Sequence, residues 1–183
     1  VRSVDGPLEG ELRVSRFVLD HPFLSSGFWQ QVIDLAGALP LVCAIATLVV
    51  VAMLVRDGFI AIVASVGPAL AIGLSEGVGK PLIARPEGPL YGFPSTHSTS
   101  VAAVACVAAL LIQRHSSRVG FAIGALVLAL VPTAMTVALI RHHHHFVLDS
   151  IAGIALGVGT VCGLAGLLSF DALRRARSVF TAS

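Results

Sequence analysis

From Val32 to Phe170 the chain is a series of long apolar blocks separated by short polar breaks. About 20 apolar residues, at about 1.5 Å of rise each, match the roughly 30 Å hydrocarbon layer of a bilayer, so each block predicts a membrane-spanning helix. The first block runs from Val32 to Val55 and ends at Arg56-Asp57-Gly58. The second runs from Phe59 to Val78, with a kink expected at Gly67-Pro68, and ends at Gly79-Lys80-Pro81. Residues 80–97, KPLIARPEGPLYGFPSTH, carry too much proline, glycine and charge for a lipid-exposed span and predict a loop lining a polar cavity. Three more spans are expected: Ser98 to Ile112, Val119 to Ile140 after a polar turn, and Phe146 to Phe170. The last contains Gly153, Gly157, Gly159, Gly163 and Gly166 as helix-packing positions. The fold class is therefore all-α, a polytopic transmembrane bundle of about five spans.

Residues 1–31 mix Arg2, Asp5, Glu9, Glu11, Arg13, Arg16 and Asp20 with Leu8, Leu12, Val14 and Phe17, the pattern of a short amphipathic helix lying on the membrane surface. The chain opens on charged residues and shows no secretory leader pattern. Hydrophobic residues make up 56% of the 183 and charged residues only 12%, which leaves no room for a soluble second domain. A net charge of +2 excludes a broad basic surface for nucleic acid. Cys43, Cys106 and Cys162 lie inside apolar blocks without metal-ligand spacing and read as packing residues. The cations comprise eleven arginines and one lysine, Lys80. This bias fits GC-rich bacterial codons, which makes a bacterial plasma membrane the expected setting.

Alternation of the spans places Arg56, Arg114, Arg118, Arg174, Arg175 and Arg177 on one face, cytoplasmic by the positive-inside rule. Lys80, Arg85, His97, Arg141, His145 and Asp149 then gather on the opposite, extracytoplasmic face. Ionisable groups cost roughly 2.5–3.5 kcal/mol each at the bilayer centre, so such a cluster calls for a function. Phosphoryl chemistry supplies one, because cations, hydroxyls and free amides stabilise the charge that spreads over a transferring phosphoryl group. Lys80, Arg85, Ser95 and Arg141 are candidates for that cradle. Ser95 and the amides of Thr96 and His97 open a predicted helix, where an anion is favoured; an ordinary helix cap is the alternative for Ser95 or Thr96.

In RHHHHFVLD, the four-residue spacings of Arg141, His145 and Asp149 predict one stripe on a helix, with Asp149 able to orient His145 for attack on phosphorus. His97 is the candidate acid for the leaving oxygen. A transition metal on the four histidines is the competing reading, but only about two of them share a helical face and Asp149 is the sole nearby carboxylate. His142, His143 and His144 are read as facing the loop or supporting the site.

Together the blocks KPLIARP, PSTH and RHHHHFVLD resemble, in order, the motifs Lys-x6-Arg-Pro, Pro-Ser-Gly-His and Ser-Arg-x5-His-x3-Asp of the type 2 phosphatidate phosphatase superfamily. The resemblance implies His145 as a nucleophile forming a phosphohistidine, Asp149 as its partner and His97 as general acid. Lys80, Arg85, Ser95, Thr96 and Arg141 would bind phosphate, with no metal or other cofactor. The family core usually has six helices, so one span is expected to be missing before Val32 or absent. This sequence departs from the motifs at three points. Glu87-Gly88 stands where Arg-Pro belongs and Arg85 comes two residues early; Thr96 replaces glycine; three residues rather than five separate Arg141 from His145. His-His-Phe-x-x-Asp is also similar to the branch of inositol-phosphoryl and sphingomyelin transferases.

The expected organisation is an interfacial segment (1–31), a transmembrane phosphatase domain (32–173) and a basic cytoplasmic tail (174–183). The expected activity is hydrolysis of a lipid phosphate monoester or polyprenyl pyrophosphate reaching the site laterally through membrane lipids. A lipid phosphotransferase is the alternative enzyme, and an inactive lipid- or metal-binding membrane protein the alternative of another class. The sequence does not specify an oligomeric state.

Overall fold

The computed structural model describes residues 8–21, 24–83, 86–87 and 90–181, without the side chains of 86–87, 90–91 and 171–181. The described chain is essentially all-α. In order it forms α1 (Glu9–Asp20), α2 (Ser26–Asp34), α3 (Ala38–Leu54), α4 (Gly58–Leu74), a π-helical turn (Ser75–Gly79) and α5 (Lys80–Ile83). It continues with the two-residue strands β1 (Pro86–Glu87) and β2 (Leu90–Tyr91), paired antiparallel, then α6 (Thr96–His115), α7 (Arg118–Arg141) and α8 (Val147–Thr181). Among the described residues four helices are long and apolar enough to cross a membrane, Gly58–Ile83, Thr96–His115, Arg118–Arg141 and Val147–Phe170, and the bent pair α2 and α3 gives a fifth when it is counted as one span.

Polarity is distributed inside out relative to a water-soluble bundle. Large aliphatic side chains such as Leu39, Leu54, Leu130 and Leu167 face outward, whereas Ser75, Ser95, Ser98, Thr99, Asp149 and Ser150 are buried. Lipid is an adequate solvent for the first group, and only the protein interior can satisfy the second. Helix α6 is the centre of the bundle, packed against α3, α4, α7 and α8. Its buried face is built from Ser98, Thr99, Ala102, Ala103, Ala105, Cys106 and Ala109, small side chains that let neighbouring backbones approach closely. The cysteines are free, and the Cys106 and Cys162 sulfurs lie 3.7 Å apart across α6 and α8.

The two ends of the bundle are fixed by different contacts. At one end Asp57 caps α4 through the Ile60 amide (3.0 Å) and accepts from Arg114 Nε (2.8 Å), with His115 Nε2 at 3.0 Å. Burial pushes the Asp57 carboxyl up, but the Ile60 amide, Arg114 and His115 outweigh it and hold the group below the usual carboxylate range. At the other end the Ser95 amide donates to the Asp149 carbonyl at 3.0 Å, and Thr96 bonds Ser75 and Glu76. Arg56, Arg114 and Arg118 thus lie at the end opposite Lys80, His97 and His145.

Three expectations are corrected. The predicted first span is broken: α2 and α3 meet at 59°, because Pro40 has no amide to continue the ladder through α2 and the chain turns over Gly37. A Cβ at Gly37 would stand 2.9 Å from the Asp34 carbonyl oxygen. The predicted loop from residue 80 begins later, since the helix runs through the π turn and carries Lys80 on it. Finally, Arg141, His145 and Asp149 do not share a helix. Arg141 ends α7, the chain turns through His143 with φ of 56°, and α8 starts only at Val147. Gly67-Pro68, where a kink is expected, falls inside α4, and Gly67 leaves room for Val161 of α8.

Of the five glycines on α8, two make the close crossing with α6. A Cβ on Gly153 would lie 2.5 Å from the Ser95 carbonyl oxygen, and one on Gly157 would lie 2.4 Å from that of Thr99; at Gly159, Gly163 and Gly166 it would meet nothing within 4 Å. Alanine at Gly153 gains about 1 kcal/mol of helix propensity but forces the backbones apart, an overpacking cost of about 1–3 kcal/mol. The clash wins because the obstructing atom is backbone. Gly153→Ala is therefore expected to lower the thermal unfolding midpoint in detergent, while Gly159→Ala leaves it unchanged or raises it. Equal midpoints for the two variants would contradict this account of the crossing.

Candidate active site

The polar end of the bundle is assembled by three helix ends. Lys80 stands one turn beyond Glu76, and its ammonium is 2.7 Å from the Glu76 carboxylate. That carboxylate also accepts from the Thr96 hydroxyl, which lies 3.3 Å from the Ser75 hydroxyl. The second and third spans, α4–α5 and α6, are thereby joined at the level of Lys80 and Thr96. Glu76 was not singled out in the sequence, although its position four residues before the sole lysine is the favourable spacing for a helical Glu–Lys pair. The π-helical turn sets the direction of both side chains, and π turns inside α-helices often occur at functional sites.

Ser95 is fully buried and caps α6, its hydroxyl accepting from the Ser98 amide at 3.4 Å. The cap alternative raised from the sequence is thus realised at Ser95, while Thr96 turns to Glu76. His97 follows in the first turn of α6, half-buried.

Asp149 does three things at once. Its main-chain carbonyl accepts from Ser95, its carboxylate accepts from the Phe146 amide at 2.9 Å, and the same oxygen lies 4.0 Å from His145 Nδ1. The Phe146 bond is half of a capping box at the start of α8, where a carboxylate also meets the favourable end of the helix dipole. Asp149 is buried and the His145 side chain is 11% exposed. The His145–Asp149 separation exceeds a hydrogen bond, but catalytic contacts in unliganded sites commonly tighten only when substrate binds.

The surroundings of His145 identify which groups converge. Burial lowers its pKa, and the positive charges of His97, Lys80 and His144 lower it further, from 6.5 to about 4. The imidazole is therefore neutral at pH 7. Lys80, His97 and His145, far apart in sequence, share one electrostatic neighbourhood.

Arg141 is placed differently from the sequence reading. One of its guanidinium nitrogens donates to the Val18 carbonyl of α1 at 2.9 Å, tying the surface helix across the end of α7. Arg85 lies outside the described residues. His142 lies 3.3 Å from the Ser26 carbonyl of α2, while His143 and His144 are exposed. Among the described residues no three of His, Cys, Asp and Glu gather where they could hold a metal ion.

A family model described as "PAP2 superfamily" matches residues 38–171, well over half of the chain. No curated protein and no solved structure gives a match.

The depressed pKa of His145 has a definite consequence for stability. In the unfolded chain this histidine takes up a proton near its ordinary 6.5, whereas the folded site refuses it until about 4. The unfolded state binds more protons in that window, so His145 lowers stability as pH falls from 6.5 to 4, by at most about 1.4 kcal/mol per pH unit. Thermal unfolding in detergent at pH 7 and pH 5 is expected to show a smaller drop for His145→Gln than for the unmodified protein. Identical drops would show that His145 titrates normally.

Proposed function

From the premise that the chain belongs to the PAP2 superfamily and is a lipid-phosphatase-like membrane enzyme, we propose that it hydrolyses a lipid phosphate monoester or polyprenyl pyrophosphate through a phosphohistidine at His145. The observation that carries this reading is the His145 imidazole, its side chain 11% exposed, with Nδ1 4.0 Å from the Asp149 carboxylate. With Nδ1–H directed at Asp149, Nε2 is the nucleophile.

In the first step Nε2 forms a bond to phosphorus as the bond from phosphorus to the ester or anhydride oxygen breaks. His97 in its protonated form gives that oxygen its proton. In the second step a water attacks the phosphohistidine, the P–N bond breaks, and His97 takes the water's proton as phosphate leaves. Asp149 stabilises the charge on the His145 ring throughout.

Lys80 is the principal cation for the phosphoryl oxygens, with Thr96 and the first amides of α6 beside it. Glu76 holds Lys80 and Thr96 in place, and an incoming phosphate takes over the Lys80 bond. Arg141 has five N–H donors, so the bond to Val18 leaves others for substrate. Arg85 completes the cradle by its place in the first motif. Arginines at the opposite end favour an extracytoplasmic site, because cytoplasmic loops carry the excess of basic residues.

Inorganic phosphate release from lipid phosphates and polyprenyl diphosphates in detergent, with EDTA present, tests the reading. Release by the unmodified protein is expected to fall about 10³-fold or more in His145→Ala. Undiminished release in that variant would sink the assignment of His145. Phosphoryl transfer seen only with an added alcohol would replace hydrolysis by transfer to an acceptor.

A further inference from the structure

An apolar cavity of about 400 Å³ lies between the bent pair α2–α3 and helices α6 and α7, within the size range of small-molecule sites. Its α6 wall is Val101, Val104, Ala105 and Ala108. With His97 these residues form a single helical stripe, since the spacings from 97 are four, seven, eight and eleven. The cavity therefore begins one turn below the candidate acid and continues along the same face for about 10 Å. On α7 the lining runs through Val127, Val131 and Ala134, and the next turns of that stripe lead through Ala138 to Arg141 and His142.

A second observation comes from the boundary between cavity and site. Trp29 of α2 packs there with Met135, Ala138 and Leu139, against Val32, Val101 and Ala134, which are also next to or part of the cavity wall. Trp29 is only 7% exposed, and its Nε1 has no hydrogen-bond partner. A buried indole N–H ordinarily finds an acceptor. Here the one missing is supplied by nothing in the lining, which is aliphatic throughout apart from the Met135 thioether.

We propose that this cavity binds the hydrocarbon chain of the lipid phosphate, and that Trp29 donates its N–H to an oxygen at the head of that chain. This rests on the function proposed above and adds to it the location of the chain. Phosphate at Lys80 and His145, an oxygen at Trp29 and a chain lying along α6 and α7 form one continuous path, from polar helix ends to the lipid-facing bundle. The bend between α2 and α3 gives the path its outer wall, because Val32 and Leu35 come from one arm and Leu41 and Ala44 from the other.

The test compares long-chain phosphatidate with a soluble aryl phosphate, using the full chain in detergent. Ala108→Phe and Ala44→Phe fill the cavity from opposite walls, so a folding defect in one leaves the other informative. Each is expected to lower kcat/KM for the long-chain substrate by about tenfold or more, with the aryl phosphate within about twofold. Trp29→Phe keeps the ring and removes the N–H, and is expected to raise KM for the long-chain substrate alone. Parallel changes for both substrates, or none, would overturn the proposal while leaving the phosphatase reading intact. A phosphatidate carrying a photoreactive group in its chain provides a readout independent of turnover. Labelling of α6 and α7 lining peptides, lost in Ala108→Phe, is expected even if no phosphate is released, which separates the two failures. Equal labelling by a phosphate-free lipid of the same chain would mean a groove for bulk lipid and would overturn the proposal.

Discussion

The close crossing of α6 and α8 at Gly153 and Gly157 is the constraint on which the rest of the polar end depends. With no side chain between them, the backbones come near enough for the Ser95 amide to bond the Asp149 carbonyl. This one contact places the N-terminus of α6, with His97, beside the N-terminus of α8, with Asp149 and the turn that carries His145. In a bilayer, apolar burial does little to bring helices together, so small residues and interhelical hydrogen bonds do that work. A displacement of about 1 Å in such a crossing is enough to cost a reaction about 10²-fold.

Burying charge in a low-dielectric bundle is unfavourable unless each group has partners, and the two ends answer this differently. At the Asp57 end a carboxylate is fully engaged with Ile60, Arg114 and His115, and the result is a closed structural knot. At the other end the Lys80 ammonium pairs with the Glu76 carboxylate, while His145 is held neutral by burial and neighbouring positive charge. Ionic groups thus close on one another for stability at one end and, in the proposed function, serve recognition at the other, while the helices between them carry aliphatic side chains to lipid.

Most of the architecture was legible in the sequence, because a membrane span needs length and apolarity and both can be counted. The convergence of Lys80, His97 and His145 followed from alternation of the spans. Other features required tertiary information. Nothing local indicates that Arg141 reaches Val18, more than a hundred residues away, or that the chain leaves α7 at His142 rather than extending one stripe to Asp149. Two signals were present and unused. Asp149, Gly153 and Gly157, spaced four and four, lie along one stripe of α8, which ties two of its five glycines to the face that carries the site carboxylate. Glu76, four residues before Lys80, was absorbed into an apolar block although its charge marked the polar end of that helix. Arg85 lies outside the described residues, so its place in the cradle still rests on the motif.

The central claim, that three helix ends present His145 as the attacking group, is tested most directly by trapping the covalent intermediate. Rapid base quench during turnover of a lipid phosphate, followed by mass spectrometric mapping, preserves a phosphohistidine and reports its position. The account predicts phosphate on His145 and none in His145→Ala. Phosphate on His97, on one of His142 to His144, or on a hydroxyl would contradict it.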